Sequence, residues 1–150
     1  MRSQKGFTLL ECVIVITLIV IVAAIAAPQF QKMAVNGNLK AAARDIMGDF
    51  SYIRQRAMSE NTSLSIGFDT SHNRYTVPGV ANPKTPTSFS SDINITVVNF
   101  TDHGTNLRFE TRGTISPPGP NTITLTNGRG STATITVLIA GRIYVQYDLK

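Results

Sequence analysis

Cysteine is nearly missing from this 150-residue chain: Cys12 stands alone, so no intrachain disulfide can staple it. Histidine is scarce as well. His72 and His103 both lie beside turn residues, and neither has a Ser/His/Asp context or metal-ligand spacing. They read as solvated loop histidines. Asp69, Asp92, Asp102 and Asp148 are scattered without the spacing of a calcium loop. No glycine-rich loop follows a strand and opens a helix, and Asn127-Gly128-Arg129-Gly130 reads as a hairpin turn, not a nucleotide cradle. These absences argue against an enzyme, and no metal or cofactor is expected.

What is present is concentrated at the start. From Phe7 to Ala27 there are 21 residues, and Glu11 is the only charge among them. As a helix this run covers about 31 Å, the thickness of a bilayer's hydrocarbon core. A secretory signal peptide has a shorter apolar region, about 7–15 residues, ahead of its cleavage site. Here the alanines Ala23, Ala24, Ala26 and Ala27 imitate such a site, but Pro28 and a helical pattern follow them. An ordinary membrane anchor leaves Glu11 unexplained, because an ionisable group inside an apolar span marks function and needs a partner. Lone Cys12 sits in the same run, where a thiol acts as a small hydrophobe.

Lys5-Gly6-Phe7-Thr8-Leu9-Leu10-Glu11 resembles the prepilin signature of type IV pilins and type II secretion pseudopilins. The resemblance implies that a prepilin peptidase cuts between Gly6 and Phe7 and methylates the new amino group of Phe7. It makes Glu11 the fifth residue of the mature chain and Pro28 the twenty-second, where the family often has a kinking proline. Cleavage would remove Arg2 and Lys5 and lower the charge from +5 to +3. Those leader charges serve as an orientation signal, since positive charge stays on the cytoplasmic side. The expected product is a single-pass protein in the bacterial inner membrane, its N-terminus cytoplasmic and its bulk periplasmic. Many major pilins pin their C-terminal region with a disulfide, which this chain cannot form, and that departure favours a pseudopilin or minor pilin.

Pro28 removes a backbone donor and is expected to bend the helix without ending it. Beyond it, Leu39, Ala43, Ile46, Met47, Phe50, Ile53 and Ala57 recur at three- and four-residue steps, a packing stripe for a following domain. Asn36-Gly37-Asn38 and Gly48 are weak points in that helix, read as a local bend or as a segment that extends when subunits pack. After Asn61 the period changes to two. Strands are expected at 64–68, 74–77, 93–100, 106–110, 122–126, 132–139 and 142–147, rich in Thr, Val and Ile. Residues 78–92 carry three prolines and read as an irregular exposed loop; the stretch 78–105 is the candidate partner contact. The division expected is a leader at 1–6, a transmembrane half-helix at 7–27, a soluble half-helix at 28–59 and a β-rich domain at 60–150. The fold class is α+β, a long N-terminal helix packed by its C-terminal half against an antiparallel β-sheet domain.

Phe109-Glu110-Thr111-Arg112-Gly113-Thr114-Ile115, the alternating strands from Ile123 to Val137 and Gly141-Arg142-Ile143 resemble the C-terminal pattern of the GspH/FimT group of pseudopilins and minor pilins. The resemblance implies a structural subunit that joins other pilins or pseudopilins, in a type II secretion pseudopilus or a type IV pilus tip. Within it, Glu11 would pair with the terminal amine of a neighbouring subunit. A carboxylate alone in lipid is heavily penalised, and a partner cation offsets much of that cost. The rival for Glu11 is a side chain that snorkels to water. The alternative function is DNA uptake: Arg108, Arg112, Arg129, Arg142 and Lys150, with Tyr144 and Tyr147 nearby, are candidates to track a phosphate backbone.

Overall fold

A computed structural model describes residues 7–101, 104–116, 118–119 and 121–150. The leader, with Arg2, Lys5 and Gly6, lies outside these residues, as do Asp102, His103, Pro117 and Pro120. One helix, α1, runs Leu9–Ser59 with Pro28 inside it. Neither Asn36-Gly37-Asn38 nor Gly48 interrupts it. The chain divides into two compact units, Met1–Ala34 and Val35–Lys150. The second half of α1 therefore belongs to the same folded body as the strands.

In that body the helical stripe is buried as its spacing requires: Leu39, Ala43, Ile46, Phe50, Ile53 and Ala57 are inaccessible, and Ala42 joins them. Met47 is only partly buried against the core. The strands make two four-stranded sheets. One has the order β2-β1-β4-β5, with β1 Leu64–Asp69, β2 Arg74–Thr76, β4 Asn106–Phe109 and β5 Ile115–Ser116. The other has the order β3-β6-β7-β8, with β3 Asn94–Asn99, β6 Asn121–Thr126, β7 Thr132–Val137 and β8 Ile143–Asp148. Every pairing is antiparallel. The fold is thus a long N-terminal helix packed on antiparallel sheets.

Alternation decides which side chains enter the core. Ile123 and Leu125 of β6 and Ala133, Ile135 and Val137 of β7 face inward and are buried. Ile143 of β8 is half-buried. The aromatic centre is Phe50, whose ring lies 6.1 Å from Phe68 and 6.0 Å from Phe109. Phe68 in turn stacks on Tyr75 at 5.5 Å. The two-residue β5 falls in a stretch that composition marks only as a connection; it forms because Phe109 pairs with Ile115 and buries it.

Residues 78–92 are irregular, as their prolines require, but they are held to α1. Lys84 pairs with Tyr75 as an isolated bridge, Pro86–Ser88 forms a 3-10 turn, and Arg56 Nη1 donates to the Pro78 carbonyl at 2.9 Å. The turn at Gly141 needs glycine twice over. Its φ of +71° is one that side chains rarely adopt, and a Cβ there would strike the Gly113 carbonyl of the β4–β5 turn.

Candidate functional site

The N-terminal unit begins with a cap. Thr8 donates its backbone N–H and its hydroxyl to Glu11 Oε2, both at 2.9 Å, and the Glu11 N–H returns to Thr8 Oγ1 at 3.2 Å. This is the reciprocal Thr-x-x-Glu capping box, which satisfies donors that the first helical turn leaves free. The spacing Thr8 to Glu11 is the sequence signal for it, and reading Glu11 only as a misplaced charge passes over that signal. From Leu9 to Ala27 all residues but Ala26 are exposed, and the apolar ones include Ile16, Ile19, Val22 and Ile25. The helix is long and apolar enough to cross a membrane. Phe7 stands at its head, 84% exposed.

The five candidate DNA residues do not form one patch. Arg112 lies on the β4–β5 turn and Arg142 on the β7–β8 turn, and these turns meet: Arg54 of α1 donates from Nε to the Gly113 carbonyl at 3.0 Å and from Nη2 to the Ala140 carbonyl at 3.3 Å. Arg129 and Lys150 stand at the opposite end of β7, where the Lys150 N–H reaches Ser131 Oγ at 2.9 Å. Six residues of β7 separate the two ends, about 20 Å of strand. Arg108 is engaged with Glu110 at 2.8 Å. Sequence reading misses Arg54, because the carbonyls it joins lie 59 and 86 residues away.

A second polar cluster holds the 78–92 segment. Lys84 Nζ lies 2.7 Å from both Asp45 and Asp49 of α1, and the Tyr75 hydroxyl is shared between Asp49 at 2.8 Å and Asp45 at 3.1 Å. Burial first, and then the two carboxylates, push the Tyr75 hydroxyl above its ordinary range. Burial by itself would lower Lys84, but the hydrogen bonds to Asp45 and Asp49 outweigh it and raise the ammonium. His72 is exposed and bonds Asp69 at 2.8 Å. Among the described residues no group of three or more His, Cys, Asp or Glu is placed to hold a metal ion.

A buried helix half on antiparallel sheets, preceded by an exposed apolar helix half, defines a pilin-like protein. Comparison with known proteins narrows this. Residues 1–27 match the prokaryotic N-terminal methylation motif, and residues 42–141 match the family model of the type II transport protein GspH. The chain belongs to the GspH family of pseudopilins and minor pilins. It is 37% identical over 78 residues to a fimbrial protein of Pseudomonas aeruginosa, a match covering 45% of this chain and 51% of that one. The chain thus spans about half the length of the curated relatives it matches. The fold is shared with the type IV minor pilin FimU of Pseudomonas aeruginosa: TM-score 0.57, 18% identity, 74% of this chain and 90% of that one. It is also shared with the minor pseudopilin EpsH of the Vibrio cholerae type 2 secretion system: TM-score 0.57, 10% identity, 73% of this chain and 96% of that one.

Proposed function

We propose that the chain is a minor structural subunit of a pilin-type filament, built into a type II secretion pseudopilus or the tip of a type IV pilus. A prepilin peptidase cuts between Gly6 and Phe7 and methylates the Phe7 amine. Before assembly the chain rests in inner-membrane lipid with its N-terminus cytoplasmic and its folded unit periplasmic. Other pilins or pseudopilins then receive its exposed helix. The observation that carries this reading is that residues 9–27 leave almost every apolar side chain uncovered around a single carboxylate, Glu11. Exposed apolar surface of that extent needs lipid or partner helices.

Glu11 has two oxygens and two tasks. Oε2 caps Thr8, which leaves Oε1 for the terminal amine of a neighbouring subunit. Two variants separate the tasks. Glu11→Gln keeps the capping geometry and removes the charge, whereas Glu11→Ala removes both. Both variants should be processed and inserted, yet be missing from purified filaments. Normal incorporation of Glu11→Gln would show that the cap, not the charge, is what assembly needs. Normal incorporation of Glu11→Ala would end the assembly role of Glu11.

The DNA-uptake reading has no single surface beneath it, because its basic residues fall at two ends of β7 with Arg108 engaged elsewhere. Titration with duplex DNA across a salt series tests it. Salt-steep binding that falls in Arg142→Ala would add a nucleic-acid role to the structural one, and absent binding would remove it.

A further inference from the structure

The edge of a sheet presents unpaired N–H and C=O groups, and folded proteins cover, shorten or bend such edges. The two sheets have four edge strands: β2, β5, β3 and β8. Three carry such a device from within the chain. Tyr75 of the three-residue β2 exchanges both backbone bonds with Lys84, each 2.8 Å. In β3 the register breaks between Ile95 and Val97, and Asn73 Oδ1 takes the Ile95 N–H at 2.8 Å. In the two-residue β5, Ile115 donates to the Ile139 carbonyl at 3.1 Å.

β8 has none of these devices. Its six residues pair with β7 in unbroken register, and the strand contains no proline, lysine or arginine. The Leu138 N–H donates to the Arg142 carbonyl at 2.9 Å, which makes Leu138 and Arg142 a bonded pair. Bonded and non-bonded pairs alternate along an antiparallel ladder. The backbones of Tyr144, Gln146 and Asp148 therefore turn toward β7, and those of Ile143, Val145 and Tyr147 turn away from it. Among the described residues nothing bonds these three outward N–H and C=O pairs. The three side chains are only partly buried at the border of the core.

We propose that β8 is a strand-addition edge: it takes an extended segment of a neighbouring subunit of the filament, a different pilin-class chain, laid antiparallel to β8. This rests on the assembly reading above. The direction follows from the sheet, whose pairings are all antiparallel. Asn36 of α1 meets Asn127 and Lys150 at the start of β7, and Arg54 meets Ala140 past its end, so the helix runs alongside β7 in the same sense. A strand added antiparallel to β8 continues that pattern and runs with β7 and with this helix. A second copy pairing antiparallel through its own β8 would be related by a two-fold axis perpendicular to the strand, which reverses the helix. Subunits entering a filament from one membrane keep their helices in one sense.

The chemistry of the occupant follows as well. Main-chain bonds supply affinity, and alternate side chains supply selectivity. The guest strand carries apolar residues beside Ile143, Val145 and Tyr147. It carries uncharged polar residues on the other face, where Thr132, Thr134 and Gln146 lie. Arg142 precedes the strand and Asp148 ends it; both are exposed and make no ion pair among the described residues. An acid at the Arg142 end of the guest and a base at the Asp148 end complete the match.

Val145→Pro tests this in the full chain. Among the described residues the Val145 N–H has no partner, and an edge strand tolerates proline where its N–H faces solvent. The expected result is a folded protein in detergent whose filament content falls about tenfold or more, while Val145→Ala enters filaments as the natural chain does. Amide exchange decides the matter if the proline variant unfolds. The N–H groups of Ile143, Val145 and Tyr147 should slow by about a hundredfold or more in filaments relative to the isolated chain. Natural incorporation of Val145→Pro, or equal exchange in both states, overturns the inference. A Cys12→Ser, Val145→Cys chain that crosslinks only to itself overturns the choice of occupant in favour of a second copy. Absence of the natural chain from filaments strikes the assembly reading itself, and this inference with it.

Discussion

Residues 9–34 and 35–150 meet the same two demands by different means. Both must bond their backbone groups and both carry apolar side chains. The first unit bonds its backbone along the helix, closes the start with the Thr8–Glu11 cap, and leaves its apolar side chains exposed. The second buries its apolar residues between helix and sheets and ties its turns down with long-range side-chain bonds. A helix satisfies its own hydrogen bonds wherever it is placed, so its apolar surface can be reserved for lipid or partners. Sheets cannot do this; they must find neighbours, and an edge without one is an invitation.

The sharpest test of this contrast compares two truncations. Phe50→Ala removes a fully buried ring packed on Phe68 and Phe109, and should lower the stability of the folded unit by about 3–5 kcal/mol in thermal or denaturant unfolding. Ile19→Ala, at an exposed position of the first unit, should leave that transition where it is. A comparable loss from Ile19→Ala would mean that the two units share a core.

A smaller effect is expected from Tyr75→Phe. It deletes the hydroxyl shared by Asp45 and Asp49 and should cost about 1–3 kcal/mol, with faster amide exchange in 78–92. Unchanged exchange there would show that Arg56 and Lys84 hold the segment without it.

Acid should act on the folded unit through three carboxyls held below their ordinary range. Asp69 is held there first by the Ser71 hydroxyl and then by His72 and Arg74, Asp92 first by Ser90, and Glu110 first by Ser63 and then by Arg108. A lowered folded pKa adds stability that is present above the ordinary values of 3.8 and 4.5 and is lost as pH falls through the folded values. The raised Tyr75 and Lys84 act at the other end. Their contribution is complete below the ordinary values of 10.0 and 10.5 and is lost as pH rises toward the folded ones. Melting temperature measured against pH should therefore be flat from about pH 5 to 8 and fall on both sides. A maximum below pH 4 would contradict these assignments.

The smallest change should come from Gly37→Ala. A Cβ at this helical position meets nothing within 4 Å, so the replacement should stabilise by about 0.5–1 kcal/mol. Loss of stability would reveal a contact on that face.

The legible part of this protein is its local periodicity. The apolar run, the buried stripe from Leu39 to Ala57 and the two-residue alternation from Leu64 onward each follow from side chains that must all face one medium, so spacing exposes them. Glu11 is visible as an oddity, and its bond to Thr8 is visible as a three-residue spacing. Arg54, Asn36 and Tyr75 carried no such mark. Their partners lie far along the chain, up to 114 residues for Asn36 and Lys150, and no local rule names them. The same holds for the strand edges. Period two announces a strand at 143–148, but which edge is covered by Lys84, Asn73 or Ile139, and which is left open at β8, depends on how distant segments fold back upon the sheets.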